Sequence, residues 1–163
     1  MSRLAAKRNH HRTLCALSAL LLGLGAAPRA QLNELQRLQT VVDGLRARLA
    51  IDSPVSPEIV TSNPLLVSVE PIQGKGGRTA AFRMSFDAMF LAGLDEEALS
   101  AIVAHELGHV WIFTHHPYLQ TERLANSVAM RVVSRDSLER VYAKVWQRAG
   151  VKGDLARFLG ESQ

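Results

Sequence analysis

His105-Glu106-Leu107-Gly108-His109 sets two imidazoles four residues apart, with a carboxylate directly after the first. On a helix, four residues turn through about 400°, so both rings project from one face about one turn apart. That is the spacing at which two neutral ring nitrogens reach one zinc ion. Glu106 lies about 100° round from His105. It is placed to accept a proton from a water activated at the metal and to return it to a leaving amine. Gly108 removes a side chain where this helix would crowd a neighbour. A hydrolytic zinc site needs a third protein ligand and one open position. The residues downstream that offer one are His115, His116, Glu122 and Glu139. His115 has the interval of the H-E-x-x-H-x5-H pattern, but Ile112 stands where that pattern needs a helix-breaking glycine. A helix that continues carries His115 about 600° beyond His109, onto another face. Spacing favours Glu122: a turn at His116-Pro117 returns a second helix antiparallel to the first, with Glu122 in its first turn.

The motif needs a rigid helix, and the flanking residues predict one. Asp95 is an N-cap, Glu96 and Glu97 suit the positive end of the helix dipole, and the helix runs to about Thr114 with Pro117 past its end. Further helices are expected over 32–51, where Leu35, Leu38, Val42, Leu45 and Leu49 recur at helical spacing, over 121–134, and from the cap candidate Asp136 to Arg148. Leu65–Glu70 and Thr79–Phe86 read as strands joined by the Gly-rich turn Gln73–Arg78, a β-hairpin. That turn lacks the spacing of a phosphate-binding loop. Residues 87–91 read as a short helical piece. The segment 52–64, with Pro54, Pro57 and Pro64, reads as irregular, and the end beyond Gly150 as a short tail. The fold class is therefore α+β, a mostly helical minimal domain with one hairpin beside the motif helix.

Apolar residues make up 47% of the 163 residues and charged residues 21%, an ordinary globular balance. The formal net charge of +4 is concentrated at the start. Residues 1–30 hold five of the 19 basic residues and no acid, so from residue 31 on 14 basic residues face 15 acidic ones. A phosphate-binding surface loses its support, and no nucleic-acid partner is expected. Leu14–Ala27 is an uncharged apolar run behind a basic stretch, shorter than the roughly 20 residues that span a bilayer. It has the form of an export signal, with cleavage expected after Ala30 and a mature domain at 31–163. That implies a periplasmic or secreted protein with no stable membrane span. Cys15 is the only cysteine, so the mature chain has neither disulfides nor thiolate ligands.

His105-Glu106-Leu107-Gly108-His109 followed by Glu122-Arg123-Leu124-Ala125-Asn126 resembles the gluzincin zinc peptidases. It is similar both to the soluble core of the prenyl-protein and heat-shock membrane endopeptidases and to small soluble peptidases with an ExxAN motif. The resemblance covers about residues 85–135 and implies a zincin-like fold and peptide-bond hydrolysis. It implies Zn2+ held by His105, His109 and Glu122, with Glu106 as general base. Asn126 replaces the aspartate of the membrane group, and its amide oxygen can still accept a bond from a ligand histidine. Tyr118 and His116, on the connection between the two metal-binding helices, are the candidates to stabilise an oxyanion. The resemblance also implies a peptide or protein substrate added as a strand beside the motif helix, with Thr79–Ser85 the nominated edge. The alternatives are a zinc-binding interaction module without hydrolysis and, should the leader stay uncleaved, an intracellular peptidase.

Overall fold

The computed structural model describes residues 26–160, so all of the leader before Ala26 lies outside it. Six helices and three strands follow in the order α1 (Ala26–Arg48), β1 (Val55–Val60), β2 (Val67–Gln73), β3 (Thr79–Asp87), α2 (Ala88–Leu91), α3 (Glu96–His115), α4 (Glu122–Ala129), α5 (Arg135–Ala149) and α6 (Leu155–Leu159). The architecture is α+β, as the sequence implies. None of the described helices is long and apolar enough to cross a membrane.

Helix α3 is the axis of the domain. Leu99, Ala101, Val103, Ala104, Leu107, Val110 and Ile112 are inaccessible to solvent, so the helix is covered on nearly every side. The Asp95 carboxylate caps it by accepting from the Ala98 N–H at 2.8 Å. The buried stripe of α1, Leu38, Val42, Leu45 and Leu49, packs towards α3 and β1. Phe82, Met84 and Phe86 fill the core from β3. Asp87, expected to open a short helical piece, caps α2 through the Phe90 N–H.

The sheet has the order β1-β3-β2. The hairpin β2–β3 is antiparallel, with Val67 opposite Phe86, and turns at Gly76 and Gly77, whose φ of 74° requires glycine. Strand β1 is an addition to expectation: it pairs parallel to β3, with Val55 beside Phe82. Pro57 lies within it without breaking the ladder. The Phe82 N–H bonds Pro54 O, while the Val55 carbonyl turns the other way to accept from Gln39. By alternation, the missing N–H of Pro57 faces away from β3. Pro71 in β2 obeys the same rule. The Asp87 N–H reaches Leu66 O, which puts the polar groups of Ser68 and Glu70 towards β3 and those of Val69 and Pro71 on the open side.

Other boundaries shift for local reasons. Strand β2 begins at Val67, not Leu65, because Leu66 is left-handed at φ 66°. Helix α4 stops at Ala129, and a turn over 130–133 separates it from α5. That helix is capped by Ser134, not Asp136, through the Ser137 N–H. The expected tail contains α6, capped by Asp154 and held where Arg135 donates to Leu159 O and Gly160 O.

Candidate metal centre

Helix α3 delivers His105 and His109 to one face, their rings edge-on with centroids 4.9 Å apart. Past His116 the chain reverses, Thr121 caps α4 through the Leu124 N–H, and Glu122 enters the first turn of the returning helix. The Glu122 carboxylate then meets both rings. Its Oε2 lies 3.2 Å from His105 Nε2 and its Oε1 3.5 Å from His109 Nε2. Donors held at about 2.0–2.1 Å by one tetrahedral ion stand roughly 3.3 Å apart. The three side chains therefore have the donor chemistry and the spacing of a His2Glu zinc site. They form the one such group among the described residues, with donor atoms within 4.8 Å of one another.

Each ring is oriented by a side-chain amide. Asn126, fully buried one turn beyond Glu122, donates through Nδ2 to the Tyr142 hydroxyl at 2.8 Å and to Phe158 O at 2.9 Å. Its Oδ1 must then face His105 Nδ1 at 2.8 Å and accept that proton, which directs Nε2 towards Glu122 and the position a metal would take. Gln120 does the same for His109: its Nε2 donates to the backbone carbonyl of His109 at 3.2 Å, and its Oε1 accepts from Nδ1 at 3.1 Å. The Asn126 contact matches the sequence reading. Gln120 and Tyr142 were missed by it.

Gly108 explains how α4 comes so near. A Cβ there would lie 2.3 Å from the backbone oxygen of Ala125. Only glycine lets the two helix backbones meet at this height.

The electrostatics suit the chemistry. Glu106 is buried on the wall of the cleft, and desolvation pushes its pKa up, opposed by the nearby His105 and His109. The Glu122 carboxyl is held far below its usual range by hydrogen bonds from His105 and His109. Burial works against the His109 cation, yet Glu122 and Gln120 outweigh it and the pKa is raised. Burial raises the Tyr142 hydroxyl pKa, so it stays protonated.

The remaining candidates stand elsewhere. His115 stays on the helix and stacks on Trp111 at 4.2 Å, with Nδ1 bonded to Trp111 O. Glu139 pairs with Arg135. His116 is the exposed C-cap of α3, 5.8 Å from the Trp111 ring. Tyr118 is 98% exposed and outside the cleft residues. Both lie on the connection between the two metal-binding helices, as expected from the sequence, but neither is among the residues that line the cleft.

The site floors an open cleft of about 520 Å³. Leu65, in the turn before β2, and Val67 and Val69 of β2 line it on one side, and Val145, Trp146 and Phe158 from α5 and α6 on the other. The nominated edge Thr79–Ser85 is corrected here. It belongs to β3, which is paired on both sides and reaches the cleft through Phe82, whereas β2 is an edge strand whose Val67, Ser68, Val69 and Pro71 line the cleft.

No protein-family profile matches the chain, and no curated protein matches it in sequence. Two solved structures are similar to it. One is the metallopeptidase zymogen of Pyrococcus abyssi abylysin, at 15% identity and a TM-score of 0.49, covering 72% of this chain and 99% of that one. The other is the metallopeptidase zymogen of Methanocaldococcus jannaschii jannalysin, at 17% identity and a TM-score of 0.49, covering 68% and 95%.

Proposed function

We propose that the chain is a zinc-dependent metallopeptidase of gluzincin type, exported by its leader to the periplasm or beyond. The observation that carries this reading is the Glu122 carboxylate, set between the Nε2 atoms of His105 and His109 at 3.2 and 3.5 Å on the floor of an open cleft. Those three residues hold the metal, whose chemistry when bound is to polarise the scissile carbonyl and acidify a water. Glu106 takes the proton of the attacking water and gives it to the departing amine. Its burial supports this role, because a carboxylate with a raised pKa is a stronger base near neutral pH. Asn126 and Gln120 keep both histidines in the ligating tautomer. The substrate is a peptide in extended form. The free side of β2, where Val69 keeps both backbone groups and Pro71 a carbonyl, is the edge to which it adds.

The test is zinc content and hydrolysis of a peptide library by wild type beside Glu106→Gln. Both proteins should hold one zinc, and the variant should hydrolyse about 10²–10⁴-fold more slowly. Equal activity would remove Glu106 from the mechanism. Zinc in both proteins with hydrolysis by neither would leave a metal-binding module and end the peptidase reading.

A further inference from the structure

Leu65 is a large apolar residue that is 71% exposed, and it stands at the mouth of the cleft. The backbone beside it is strained. Leu66 sits at φ 66°, a left-handed conformation that residues with a Cβ seldom adopt outside glycine, asparagine and aspartate. Asn63 fixes this turn from several sides. Its amide nitrogen donates to Ser68 Oγ and to Ser85 O, both at 3.0 Å. Its side-chain oxygen accepts from the Leu65 N–H at 3.0 Å, and its backbone carbonyl from the Leu66 N–H at 2.8 Å. Its own N–H is held by the Asp87 carboxylate at 3.2 Å. A strand can begin without any of this. A strained, over-determined turn at the rim of a cleft, presenting an exposed leucine, is an outlier that calls for a functional explanation.

The cleft chemistry says what Leu65 meets. Among the residues lining it, Glu106 and Glu122 are the only acids, both committed to the metal chemistry, and no lysine or arginine is present. The other contacts on offer are chiefly aliphatic and aromatic. Resting on the peptidase reading above, we infer that Leu65 is a specificity-determining residue: it packs against a bulky apolar side chain of an extended peptide lying along β2.

The test uses the full chain loaded with zinc and a set of peptides of one length that differ at a central position, Leu or Phe against Ala, Asp or Lys. Wild type should favour the Leu and Phe peptides by roughly ten-fold or more in kcat/KM. Leu65→Ala should lose about ten-fold on those peptides, mainly through KM, with much less change on the Ala peptide. Its zinc content and thermal midpoint should match wild type, because the side chain is exposed. Asn63→Ala keeps Leu65 but frees the turn, and should lose the same preference; should that variant fail to fold, Leu65→Ala decides alone. A wild-type preference that survives Leu65→Ala, or no apolar preference in an active wild type, overturns this inference and leaves the peptidase reading standing. No hydrolysis of any peptide by the zinc-loaded wild type overturns both.

Discussion

The two histidines share a helix face but are supported in different ways. His105 is embedded, with 9% of its side chain exposed, and its partner Asn126 is inaccessible to solvent. Behind Asn126 stand Tyr142 of α5 and the Phe158 carbonyl of α6, so three helices converge on one ring nitrogen. His109 is 21% exposed, and its partner Gln120 lies on an exposed connection. The contrast follows from the cost of an unmet polar group. In the interior every donor and acceptor must be matched by protein, which fixes Asn126 in one orientation. At the surface water can replace Gln120, so the same bond orders a loop more than it sustains a fold.

Several substitutions bear on this contrast. Glu122→Ala removes the residue common to both arms and should have the largest effect, weakening zinc binding by more than about 100-fold in a competition titration. Retained affinity would mean that the pair of histidines binds the metal with another partner. Asn126→Ala should follow, at about 10–100-fold in zinc affinity. It should also cost about 1–3 kcal/mol in denaturant unfolding, because buried partners lose their bonds. Gly108→Ala should cost about 1–3 kcal/mol despite alanine's better helix propensity, since the clash is with backbone and not with a flexible side chain. It should weaken zinc binding too, because Glu122 and Asn126 both ride on α4. Gln120→Ala should be the mildest, below about ten-fold in zinc affinity with no measurable change in unfolding. Equal losses from Asn126→Ala and Gln120→Ala would abolish the distinction between the arms.

A pH series sharpens the same picture without mutation. The His109 pKa is raised in the metal-free fold. Its paired cation therefore adds stability in full below the ordinary histidine value of about 6.5, and that stability is lost as pH rises through the raised value. The raised Glu106 pKa has the same sign. Metal-free protein should thus lose thermal stability from pH 6 towards pH 8, measured by calorimetry with chelator present. Zinc affinity should move the opposite way, rising with pH because His109 must release its proton to bind. A metal-free thermal midpoint that climbs over this range would contradict the His109–Glu122 pairing.

The parts of the site legible in the sequence were those carried by helical periodicity. The His105–His109 interval fixes a shared face, and the Glu122–Asn126 interval puts ligand and histidine partner one turn apart on the returning helix. Gly108 was legible for a related reason, since a glycine in so apolar a helix needs a close neighbour. Gln120 was not, because an irregular connection has no period from which to project a side chain. Tyr142 reaches Asn126 from a helix whose placement depends on tertiary packing. Strand β1 was hidden by Pro57 within it and by Pro54 and Pro64 on either side, since proline counts against a strand unless it is known to lie at an edge. Helix α6 is too short to show a pattern and is held by Arg135 and its own cap. The left-handed turn at Leu66 inverts the usual expectation for leucine, and the Asn63 hydrogen bonds that hold it depend on Ser85 and Asp87, distant in sequence, so a strand beginning at Leu65 is what the local pattern predicts.

The two edge prolines have a consequence for behaviour at high concentration. A sheet with an open border can recruit the same border of another molecule and grow into aggregates. Pro71 interrupts the row of outward donors on β2, and the exposed Glu70 beside it adds charge. A second copy of β2 laid along the first would find Val69 fully able to pair and Pro71 able only to accept. Pro57 imposes the same limit on the opposite border. The border thus resists the extended register that fibril growth demands.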